Sequence, residues 1–133
     1  MTKLKIKVTK EILRQTCNCG NGNALEGQLN SHCAIAVAIR DVFPEALVEE
    51  LGIFLNHKEY VAKWHTQNPD KFDIKLPAKA SRFILNFDLN DAIERMAMNP
   101  IEFEVEIPDW IIETINLEEL KPLLENHPTL ELV

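Results

Sequence analysis

Residues 31–43 read SHCAIAVAIRDVF, and the way this run meets water decides the fold. Ala34, Ile35, Val37, Ala38, Ile39 and Val42 cover most of a helix's circumference instead of one stripe, and a helix apolar nearly all round is a buried one. Ser31 is placed to cap it, because its hydroxyl accepts a bond from an unpaired amide of the first turn. Pro44 is placed to end it, since the residue before a proline disfavours helical torsions. Arg40 and Asp41 are its first charges, so only its C-terminal end should reach water. The small alanines let strands approach closely.

Strands to surround that helix are written on either side of it. Leu4, Ile6 and Val8 alternate with Lys3, Lys5 and Lys7, and Ile101, Phe103, Val105 and Ile107 alternate with Glu102, Glu104 and Glu106. Both runs have the period of two that gives a strand one buried face. Three lysines on one outer face and three glutamates on the other make favourable cross-strand pairs if the strands are neighbours. Adjacency in one sheet is therefore predicted.

Shorter signals fill the rest. Thr9 caps a short helix carrying Ile12 and Leu13. Residues 18–27, NCGNGNALEG, hold three of the four glycines and read as a loop. Residues 46–55 suggest two short strands about a turn, and residues 59–65 and 71–76 are further strand candidates. Pro77 opens a helix over 78–88 whose Ala80, Phe83, Ile84 and Phe87 form one apolar face. Asn90 should cap another turn or two carrying Ile93, Met96 and Ala97. Pro108 opens a short segment with Trp110 and Ile111, and aromatic residues such as Trp64 and Trp110 belong by default to the core. Asn116 caps a last helix through Leu117, Leu120, Leu123 and Leu124, which Pro122 should kink or shorten. The expected architecture is α+β in a single domain over 1–133. One small mixed or antiparallel sheet packs on the buried helix (31–43) and the amphipathic helix (78–88), with helical segments at the C-terminal end.

Composition narrows the function. The chain is 46% hydrophobic and 26% charged with a net charge of −7, ordinary globular proportions. Charge is unevenly placed: residues 1–77 carry 10 Lys+Arg against 9 Asp+Glu, and residues 78–133 carry 4 against 12. That balance argues against nucleic acid as the partner, because phosphates call for clustered basic side chains. The acidic half suits a solvated surface or a basic partner. No run reaches the length of a membrane span, and the lysine-rich start lacks the apolar core of a signal peptide. A cytoplasmic protein with reduced cysteines is the expectation.

One constellation offers chemistry: Cys17, Cys19, His32 and Cys33, ligand types that zinc prefers. A metal there would tie the glycine-rich loop to the core helix. The spacing fits poorly, since one residue separates Cys17 from Cys19, and consecutive helical residues such as His32 and Cys33 point about 100° apart. Cofactors are therefore none or zinc. Alternatively, Cys33 near a helix start is a thiolate nucleophile or redox sensor, as unpaired amides lower a thiol's pKa there. Buried core and loop roles explain the cysteines equally well. Gly22 and Gly27 have phosphate-loop spacing but are followed by Gln28 and Leu29 where Lys and Ser/Thr are required. Ser31 and Ser81 lie in no nucleophile elbow, and His57, His65 and His127 are scattered, with surface or capping roles as the default.

The order of LKIKVTKEIL, SHCAIAVAIRDVF, LPAKASRFILNFD and IEFEVEIP resembles a group of small uncharacterised proteins of bacteria and their phages. These have a Cys-Pro-Ile-Ala-Leu-Ala-like helix motif, here CAIAVA from Cys33 to Ala38. Ala34 replaces the group's proline, and Asn30 stands where a second cysteine often occurs. The resemblance implies no activity, only an accessory protein of a bacterial, phage or mobile-element genome. With no complete catalytic motif, the leading expectation is a non-enzymatic binding or regulatory module acting through protein contacts. A homodimer through an edge strand or the Leu-rich C-terminal helix, and a small-molecule ligand, also stay open.

Overall fold

The computed structural model describes residues 2–18, 34–55 and 72–133. Within them the fold is mixed α+β, with six helices and two small antiparallel three-stranded sheets. The first sheet has β1 (Thr2–Val8) at its centre between β5 (Ile101–Ile107) and β6 (Leu130–Leu132). The second runs β2 (Leu47–Val48), β3 (Gly52–Phe54) and β4 (Ile74–Lys75). The expectation of a single sheet is thus corrected: the short 46–55 strands pair with each other and with residues 74–75, not with β1.

The lysine–glutamate prediction holds. Lys3, Lys5 and Lys7 stand opposite Glu106, Glu104 and Glu102 in register. On the other face Leu4, Ile6, Val8, Phe103, Val105 and Ile107 are buried. Burying each such side chain stabilises by about 1.5–3 kcal/mol, which makes this face the anchor of the core. Lys7 N–H donates to Thr129 O at 2.8 Å and Val133 N–H to Lys3 O at 3.0 Å, so the odd residues of β1 bond to β6 and the even ones to β5. By the same alternation the backbone of Glu102, Glu104 and Glu106 faces the open edge. Lys79 Nζ donates to Glu102 O there at 2.8 Å.

Against the sheet lies α2 (Ala34–Ile39), with Ala34, Ile35, Ala36, Ala38 and Ile39 buried. It ends at Ile39, short of the predicted end at Phe43. Ile39 O accepts from both Val42 and Phe43 N–H groups at 3.1 and 2.8 Å, which tightens the chain into a turn and tucks Phe43 inside before Pro44 is reached. Ser31, His32 and Cys33 lie outside the described residues, as do residues 59–65.

The remaining helices follow their caps. Thr9 Oγ1 accepts from Ile12 N–H at the start of α1 (Lys10–Thr16). The helix α3 (Ala78–Leu89) buries Ala80, Phe83, Ile84 and Phe87 as predicted. The next, α4 (Ala92–Ala97), is capped by Asp91 and not Asn90, because Asp91 and Glu94 form a reciprocal capping box. After α5 (Asp109–Thr114), Asn116 caps α6 (Leu117–Leu124). Pro122 does not shorten that helix, since it falls in the last turn and Glu125 N–H still closes on Lys121 O. Trp110 is exposed, against its default placement in the core. No helix among the described residues is long and apolar enough to cross a membrane.

Candidate interaction surface

Of the four predicted ligands, Cys17 alone falls among the described residues. It ends α1 and is buried, and its thiol donates to Arg14 O at 3.2 Å. Cys19, His32 and Cys33 lie outside those residues. Among the described residues no group of three His, Cys, Asp or Glu side chains is placed to hold a metal ion.

The Cys17 carbonyl belongs to a different arrangement. Arg95 on α4 is only 3% exposed, and its guanidinium donates from Nη1 to Cys17 O at 3.0 Å and from Nε to Phe87 O at 2.8 Å. It also lies over the Phe87 ring, 4.2 Å from the centroid. One cation thus meets the carbonyl ends of α1 and α3, where helix dipoles are negative. Asp88 beside it is exposed, yet the protein on one side withdraws enough water to hold its carboxyl above the usual range. Arg95 opposes that rise and Glu50 adds to it.

A second polar cluster ties β6 to the end of α2. His127 Nε2 lies 2.8 Å from Asp41 Oδ2. Its Nδ1 accepts from Thr129 N–H at 3.1 Å, which places the ring proton on Nε2, toward the carboxylate. Thr129 Oγ1 donates to Ala38 O at 2.7 Å. The trio of acid, imidazole and hydroxyl looks like a nucleophile relay, but both imidazole nitrogens are engaged and the hydroxyl proton is held by a buried carbonyl. It is a fastening, in which His127 caps the backbone at Thr129, one of the two roles expected of it, and also reaches Asp41.

The outward surface of α3 and α4 is of another kind. Leu85 and Leu89, one turn apart opposite the buried face of α3, are 45% and 83% exposed; Ile93 and Met96 on α4 are 76% and 45% exposed. Asn90 and Asp91 alone join the two helices. The pull of Arg95 toward Phe87 turns one side of α4 inward and leaves Ile93 and Met96 outward. The sequence places Ile93 and Met96 on this turn without assigning them a face, and it does not reveal the buried arginine. Exposed Asp88, Asp91 and Glu94 are interspersed in sequence with the four residues of this apolar ledge, and exposed Arg82 precedes them.

Open grooves also lie among the described residues. One of about 530 Å³ is lined by Lys7, Lys121, Leu124, His127, Leu130 and Glu131, and one of about 450 Å³ by Phe72, Lys75, Glu104, Glu106 and Pro108 among others. In the first, Lys7 is paired with Glu131 at 3.4 Å and His127 is held between Asp41 and Thr129. Compared with protein-family models, curated proteins and solved structures, the chain matches none.

Proposed function

We propose that this chain is a non-enzymatic binding module that acts through protein contacts, an accessory protein of the phage or mobile-element kind that its sequence resembles. The observation that carries the reading is the ledge of Leu85, Leu89, Ile93 and Met96. Single exposed apolar residues are commonplace, but four large ones on two consecutive helices with acidic residues interspersed have the make-up of a contact surface. The polar side chains of the two clusters support the same reading, since Arg95, His127 and Thr129 are all spent on holding helices and strands together.

The test compares the parent with Leu89→Ser/Ile93→Ser. Both side chains are solvated, so the double variant is expected to unfold at the parent's temperature while losing proteins that co-purify with the parent. Unchanged co-purification refutes the reading. So does a catalytic turnover by the purified protein that disappears in Cys33→Ala.

A further inference from the structure

Resting on the proposed binding role, we infer that the ledge receives a basic amphipathic helix of a partner protein. Leu85 and Leu89 stand at i, i+4 and Ile93 and Met96 at i, i+3 on successive helices, one-turn spacings that give an incoming amphipathic helix apolar side chains to pack against. Interspersed with these four, Asp88, Asp91 and Glu94 outnumber Arg82. The nearby Lys10 ammonium is already held by Met96 O and Met98 O at 3.3 and 2.6 Å. A facing helix is therefore matched by lysines or arginines flanking its apolar stripe.

A second copy of this chain fits worse on two counts. Isologous pairing sets these acidic residues against their own copies. Four side chains also supply less than the roughly 800 Å² per partner of a standard stable interface. A single helix needs less area, and complementary charge supplies orientation and speed of encounter.

The experiment uses two labelled helical peptides with the same leucine stripe, one flanked by lysines and one by glutamates, titrated with the protein and read by fluorescence anisotropy. The lysine peptide is expected to bind at least about tenfold more tightly, with the gap closing as salt is raised. In Asp88→Asn/Glu94→Gln, where glutamine still serves the capping box, the gap should narrow severalfold. In Leu89→Ser/Ile93→Ser binding should be lost. Equal affinity for both peptides, or preference for the glutamate peptide, overturns the basic partner but leaves the docking surface standing. Lysine-peptide binding untouched by Leu89→Ser/Ile93→Ser overturns both. Absence of binding to either peptide overturns the inference, as does self-association in sedimentation that this same double variant abolishes, which would assign the ledge to a second copy.

Discussion

Replacing Arg95 with methionine tests the main internal fastening. The side chain reaches two carbonyls, Cys17 O at 3.0 Å and Phe87 O at 2.8 Å, and covers the Phe87 ring. Hydrogen bonds from charged groups contribute about 1.5–3 kcal/mol each, and the stacked cation adds about 1–2 kcal/mol when desolvated. Against that, methionine fills much of the same volume and removes the cost of burying a guanidinium, which is several kcal/mol. Phe87 O also keeps a bond from Asn90 N–H at 3.3 Å, so Cys17 O carries most of the loss. The expected net destabilisation is about 2–4 kcal/mol, a fall in Tm of roughly 10 °C for a chain of this size. Lysine, with charge but no fork, should lose about half as much. Urea unfolding followed by far-UV circular dichroism measures both. A methionine variant within about 0.5 kcal/mol of the parent, or a lysine variant equal to it, refutes the clamp.

Three further outcomes follow from local geometry. A Cβ on Gly52 would overlap the Phe72 ring that packs on it, so Gly52→Ala should cost about 1–3 kcal/mol, and Phe72→Ala in the same chain should recover part of it in a double-mutant cycle. Asn126 has a φ of 59° just beyond α6; Asn126→Gly should leave stability unchanged or slightly raised, whereas Asn126→Ala should lower it by about 1 kcal/mol, as urea midpoints will tell. Burial raises the Asp88 carboxyl, so the stability tied to its proton is present below the ordinary carboxyl pKa and lost as pH rises through the higher folded value. Asp88→Asn should therefore stabilise at about pH 7, with the gain shrinking toward about pH 4; thermal melts showing a gain that grows on acidification would contradict the sign.

Much of this was legible wherever one residue's neighbours in sequence are also its environment. The alternation in β1 and β5 and the matched lysines and glutamates foretold that the two strands are neighbours in one sheet. The spacing of Ala80, Phe83, Ile84 and Phe87 foretold the inward face of α3. What escaped depends on distant partners. Residues 130–132 are too few to show a period, and become a strand because β1 offers a free edge. Arg95 reads as a surface charge until two helix ends converge on it. The helix of residues 31–43 stops at Ile39 because Phe43 is drawn inward, a packing event no local cap announces. The candidate surface was legible only as composition: the acidic second half was plain, but the side chains that face water from α3 and α4 were not singled out.

The placement of β1 between two strands from the far end of the chain has a consequence for biosynthesis. The strand leaves the ribosome well before β5 and β6 exist, and at about 5–20 residues per second its backbone edges wait several seconds for partners. During that interval Leu4, Ile6 and Val8 are a short β-prone segment with no partner. Lys3, Lys5 and Lys7 are interleaved among them as gatekeepers, discouraging neighbouring nascent chains from pairing with it. The glutamates of β5 then arrive as the matching set that this strand has been kept free to meet.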